Sequence, residues 1–226
     1  MPPLLSLALA SATLVATHLA LSHPLRAPLV RRLGERGFLL LYSAVALGAV
    51  WWMARAFRSS PPGDFGAASG ITGWIGASVL TLLATVLFLG SLRGNPALPQ
   101  AAGTGLAGPD PHGVYRVTRH PMMWSFALWA LAHLALLWSW RTTIVAGAVL
   151  LLALVGAAGQ DRRKARTVPG WPTWAGRTSF QPRWRELPAV GWPLWLAAAG
   201  TWLLATGAHG PLGGVPAGIW HWMATG

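Results

Sequence analysis

Gly113-Val-Tyr-Arg-Val-Thr-Arg-His-Pro-Met-Met-Trp-Ser-Phe-Ala-Leu-Trp-Ala-Leu-Ala-His133 is the stretch on which the reading of the fold turns. It begins polar and basic, breaks at His120-Pro121, and continues as an apolar run carrying a second histidine, His133. Proline is a good first-turn residue, so a helix is expected to start at Pro121 and to end near Trp138. A cationic entry followed by an apolar helix is what a membrane surface followed by a membrane interior requires. The rest of the chain repeats the pattern.

Of 226 residues, 54% are hydrophobic and only 10% charged, too apolar for an ordinary soluble domain. Apolar runs are expected to span at about Leu4–Ser22, Phe38–Met53, Trp74–Leu92, Pro121–Trp138, Thr142–Ala158 and Trp192–Thr206. Between them lie a short basic loop with Arg26, Arg31, Arg32 and Arg36, a Ser59-Ser-Pro-Pro-Gly63 loop, and a Gly- and Pro-rich loop over 93–112. A tight turn is expected at Trp138-Ser-Trp-Arg141, then a long polar segment over 159–189. The first run competes with a cleaved signal peptide. The residues before it carry no positive side chain, so it is expected to stay as a transmembrane helix.

The formal net charge is +12. The cations sit between apolar runs, which favours membrane orientation over nucleic-acid binding. With loops placed alternately on two sides, the Lys and Arg residues gather in loops one, three and five. Only Arg55, Arg58 and Arg141 fall elsewhere. The expected architecture is therefore one all-α transmembrane bundle over 1–226, of about six spans. Its basic loops face the cytoplasm and both termini the other side of a bacterial inner membrane. With no cysteine, disulfides and thiolate chemistry are excluded. Several of the fifteen Trp flank apolar runs, as an interfacial aromatic belt would.

Of seven histidines, His112 and His209 read as loop residues and His221 as interfacial. His18 and His133 fall inside spans, where an ionisable group is costly and faces the bundle interior. At about 1.5 Å per residue they stand roughly 12 and 21 Å from Arg26 and Arg119. Two neutral imidazoles at such depths either hydrogen-bond neighbouring helices or hold a haem iron or metal from two sides. His23 and His120, each before a proline, stand at the basic edge with Arg26, Arg116 and Arg119. These cations either snorkel to water or form a rim for an anionic group. Asp161, within Gln160-Asp-Arg-Arg-Lys164, is either a local ion pair or the group that orients an Arg or His of that rim. Trp74, Trp124 and Trp129 read as packing or as cavity walls.

Four pieces, in order, resemble the NnrU family of membrane proteins. They are His18-x4-His-Pro-Leu-Arg26 with Leu33-Gly-Glu-Arg-Gly-Phe-Leu-Leu-Leu-Tyr-Ser43, Gly113-Val-Tyr-Arg-Val-Thr-Arg-His-Pro121, Trp129-Ala-Leu-Ala-His133, and Asp161-Arg-Arg-Lys164 with Arg177-Thr-Ser-Phe180. That family includes the 15-cis-zeta-carotene isomerase. The resemblance implies haem b held between the first and fourth helices, with His18 and His133 as iron ligands. His120 would be a catalytic histidine, and Arg26, Arg116, Arg119 and Asp161 a rim around the propionates. It further implies a hydrophobic substrate, with polyene cis-trans isomerisation as the activity, or an accessory role in denitrification or respiration.

Gly-x-Tyr-x3-Arg-His-Pro121 also resembles the isoprenylcysteine carboxyl methyltransferases, which bind S-adenosylmethionine at the cytoplasmic face. Met122-Met-Trp124 replaces the Tyr expected after the proline, and past the next helix the acids are only Asp161 and the distant Glu186.

Overall fold

A computed structural model describes residues 1–63, 70–92, 110–136 and 138–225. The described residues are helical, with no strand among them. The expected loop over 93–112 lies, except for its last three residues, outside them.

Helix α1 spans Pro3–Ser22 and α2 Arg26–Ser59. The expected basic loop is helical: Arg26, Arg31 and Arg32 form the first leg of α2, and Gly34 breaks the helix with φ 70° and ψ 168°. A positive φ costs a β-carbon-bearing residue roughly 1–2 kcal/mol, so glycine is the residue that lets the basic leg turn away from the apolar one. Helix α3 runs Gly70–Ser91 and is followed by the single turn α4, Val114–Val117. Helix α5 spans Pro121–Leu136, its first helical bond running from Trp124 N–H to the His120 carbonyl, as the His-Pro punctuation predicts.

Helix α6 covers Trp140–Thr167. The turn expected at 138–141 is instead a helix start, because the Ser139 hydroxyl accepts from Thr142 N–H at 3.1 Å and satisfies an orphan amide. The polar segment is also structured. It continues α6 to Thr167, then forms α7 (Trp171–Arg177) and a 3-10 helix (Trp184–Val190). Helix α8 spans Trp192–Gly213, longer than its apolar run suggests, and α9 covers Ile219–Thr225.

Helices α1, α2, α3 and α6 are each long and apolar enough to cross a membrane. The 3-10 helix and α8, bent 99° against each other, make a fifth candidate. Helix α5 is apolar but has 16 residues, about 24 Å against a hydrocarbon core of about 30 Å.

In packing, α1 lies on α2 and α6, and α3 lies on α5 and α8, with α5 joined to α6. One end of the bundle gathers the C-terminal ends of α1, α3 and α6. Arg163 donates to the Ser22 carbonyl at 2.8 Å, and the Tyr115 hydroxyl to that of Ser91. At the other end Trp52 Nε1 donates to the Ser6 hydroxyl, and Arg141 to the Ser60 carbonyl. The core is densest near the first end, where Leu87, Val114, Tyr115, Val117, Leu128, Trp171 and Trp174 pack together.

Candidate functional site

The polar end is built by two segments far apart in sequence. Residues 117–119 lie beside residues 179–183, tied by Arg119 N–H to the Ser179 carbonyl and Arg183 N–H to the Val117 carbonyl, both 2.8 Å. The Thr118 hydroxyl reaches the Ser179 and Phe180 carbonyls, and Trp124 Nε1 donates to Phe180 at 2.8 Å. This seam fixes the entry to α5. It also assigns Trp124 a structural task away from the cavities.

On the seam, Arg119 and His120 meet Asp161 of α6. Arg119 Nε lies 3.1 and 3.0 Å from the two carboxylate oxygens, and its NH2 group also donates to Asp161. His120 Nε2 is 2.7 Å from Asp161 Oδ1. A carboxylate facing two donors stays ionised, so an imidazole proton sits on Nε2; in the neutral ring Nδ1 is then a lone pair. His120 is fully buried, and its Nδ1 has no hydrogen-bond partner. Phe180 closes the other side, with its ring 5.3 Å from the imidazole and 5.5 Å from the Arg119 guanidinium carbon. Asp161 thus holds both Arg119 and His120 in place.

His120, Arg119, His18, His23 and Arg26 line one cavity of about 650 Å³ between α1, α2, α5 and α6. Its apolar floor includes Leu14, Phe38, Met53, Phe126 and Leu152. The Tyr42 hydroxyl lies 2.5 Å from His18 Nε2 and 3.0 Å from Nδ1, and shares a contact of 3.3 Å with the Ser22 hydroxyl. When the hydroxyl oxygen accepts from one ring N–H, the lone pair of the other nitrogen is left for a ligand. His23 sits in the turn between α1 and α2, against Gly159 of α6, where a β-carbon would run into the ring. Burial, then the nearby Arg163 charge, holds the His23 pKa below its ordinary value. Arg163 itself lines the cavity.

Three sequence-based expectations change here. His133 does not join His18: it lines a second cavity of about 340 Å³, between α3, α5 and α8. The cause is the packing order, in which α1 lies against α2 and α6 while α5 faces α3 and α6. Arg116 does not join the rim, because α4 turns it to Glu186 of the 3-10 helix, at 2.8 Å. His209 is no loop residue: it lies on α8 and lines the cavity of His133. Trp74 and Trp129 wall that same cavity, and His221 stacks on Trp74 at 3.6 Å. His112 is exposed, as expected. Arg163 and Tyr42 are the members that sequence reasoning missed. Tyr42 stood in a quoted motif without a role, and Arg163 was one cation among several.

Apolar spanning helices, a cationic end and cavities lined by imidazoles define an integral membrane protein of the helical-bundle class. A family model described as NnrU protein matches residues 6–217, and the chain belongs to the NnrU family. No curated protein and no solved structure matches the chain.

Proposed function

We propose that this NnrU protein binds haem b in the cavity between α1, α2, α5 and α6. The observation that carries the reading is the convergence of His18, Arg26 and Arg163 on one large cavity with an apolar floor. The donor set fits the group. Two imidazoles, His18 and His120, offer lone pairs, the latter from a buried nitrogen without a partner. Arg26 and Arg163 are suited to carboxylates such as the propionates. Leu14, Phe38 and Met53 supply the apolar surface that a macrocycle needs. A bound haem would supply one-electron chemistry, tuned by its axial ligand and by the burial around it.

His18 is the proposed iron ligand. Tyr42 orients its ring, and such an outer partner fixes tautomer and ring angle. Asp161 holds His120 and Arg119 at the same cavity. Among the described residues, no three His, Asp or Glu side chains converge as a set able to hold a metal ion, which directs the reading to a macrocyclic iron with its own four nitrogens. Methyl transfer from S-adenosylmethionine is less well supported, since both Asp161 oxygens are already engaged and, among the described residues, the cavity lining carries no carboxylate for the cofactor amine.

The proposed topology is six crossings with both termini outside the cytoplasm of a bacterial inner membrane. Its support is the charge distribution: among the described residues, every Lys and Arg except Arg55, Arg58 and Arg141 belongs to the polar end.

Absorbance spectra of the detergent-purified protein, oxidised and then dithionite-reduced, test the proposal. A Soret band with sharp reduced α and β bands is expected. It should be lost in His18→Ala, altered in His120→Ala and unchanged in His133→Ala. A colourless protein from haem-supplied cells would sink the reading, and a band lost in His133→Ala alone would relocate the cofactor.

A further inference from the structure

The second cavity holds another pair of histidines. His133 near the end of α5 and His209 near the end of α8 have ring centroids 6.3 Å apart. Each ring has one nitrogen committed to a backbone carbonyl: His133 Nδ1 to Trp129 O at 2.8 Å, and His209 Nδ1 to Val215 O at 2.7 Å. A carbonyl only accepts, so both Nδ1 atoms carry the proton, and a neutral ring then has a bare lone pair at Nε2.

Among the described residues, no Asp, Glu, Lys or Arg lines this cavity. A charged ligand would lose its hydration there without compensation, so the ligand is neutral. The wall hydroxyls of Thr81, Thr85, Ser125 and Thr206 donate to carbonyls of their own helices. The imidazole Nε2 atoms are therefore acceptors that none of these four hydroxyls fills. Trp74, Phe126 and Trp129 offer flat aromatic surface beside them.

We propose that this cavity binds the dihydroxy-aromatic head of a lipid-soluble quinol, with a quinol O–H donating to His133 Nε2 or His209 Nε2 and the isoprenoid tail following the apolar wall towards lipid. The acceptor pair makes the site selective for redox state. A quinol brings O–H donors, whereas a quinone brings only carbonyl acceptors and sets lone pair against lone pair. An unmade hydrogen bond in a dry site corresponds to at least about tenfold in affinity.

The probes are decylubiquinol and decylubiquinone, titrated into the full-length protein in nanodiscs. Quenching of tryptophan fluorescence reports binding, because Trp74, Trp129 and Trp202 line the cavity. The expected result is quinol binding at least about tenfold tighter than quinone, with the preference reduced severalfold in His133→Phe and in His209→Phe. Since the two residues lie on different helices, either variant carries the test if the other fails to accumulate. The redox preference of the unaltered protein stands as a test without both. Equal binding of the two forms, absence of quinol binding, or a preference indifferent to both substitutions would overturn the proposal. Apart from the shared wall residue Phe126, the quinol site uses none of the residues that line the proposed haem cavity, so a colourless protein that still prefers quinol would refute only the haem reading.

Discussion

The two cavities share helix α5 and one wall residue, Phe126, yet they are built on opposite electrostatic plans. The larger one brings His18, His23 and His120 together with Arg26, Arg119 and Arg163. The smaller one has two imidazoles and, among the described residues, no Asp, Glu, Lys or Arg. The difference follows from position along α5. His120 caps its first turn beside the cationic seam, whereas His133 lies near its far end, where the surroundings are Trp129, Leu136 and Ala132. A charged network is sustainable where Asp161, backbone carbonyls and water can satisfy it, and a neutral tautomer is what the apolar end permits. The same side-chain type is thereby given two chemistries by one helix.

Removing the hub of the polar cavity should produce the largest separation between the two. Asp161→Ala strips Arg119 and His120 of their shared acceptor and is expected to cost about 2–3 kcal/mol of stability. Thermal melts of the purified protein check the loss. Quinol titrations of the same variant should be unchanged, and if they collapse together with the melt, the two regions are one cooperative unit rather than two.

Next in size is a packing test. Gly159→Ala places a methyl against the His23 ring and is expected to cost about 1–3 kcal/mol. Gly156→Ala, one turn earlier, meets only the Met123 sulfur at 4.0 Å and should be nearly neutral. Equal melting temperatures for the two would show that His23 can vacate its place against α6.

A pH series sharpens the electrostatic contrast. The pKa of His23 is lowered by burial and by Arg163. Below its ordinary value the unfolded chain therefore binds a proton that the folded one resists. Its contribution is full above about pH 6.5 and is lost as pH falls towards the lower folded value. Melting temperature should drop between pH 7.5 and 5.5, and His23→Gln should make that drop shallower. A drop of the same depth in the variant would assign the pH response to other groups.

Arg116→Ala should have the smallest effect. Its pair with Glu186 is half open to solvent, so a loss of about 0.2–1 kcal/mol is expected, with the proposed haem spectrum unchanged. A spectrum that responds would return Arg116 to the cavity rim, where the sequence had placed it.

Much of the fold was legible because membrane helices announce themselves by composition. The starts of α1, α5 and α8 agree with their apolar runs to within a residue, since Pro at the first turns and lipid-length apolar stretches are local signals. The basic leg of α2 was read as loop because charge density resembles loop composition. Nothing in Arg31-Arg-Leu-Gly-Glu35 told that helix would persist on both sides of a glycine break.

The sequence by itself determined the class of the protein. Apolar runs dictate a helical membrane bundle, and the absence of cysteine excludes thiolate ligands, leaving imidazole, carboxylate, thioether and phenol groups. It also singled out His18 and His133, since an ionisable side chain inside a span is costly wherever it lies, and His120 and Asp161 at the basic edge. Which of them share a site was decided only by tertiary structure. Histidine pairing depends on which helices touch, and α1 packs on α6 while α5 turns its far end to α3 and α8. His18 is therefore left with Tyr42 and His133 with His209, a partnership that periodicity and spacing along one chain do not encode.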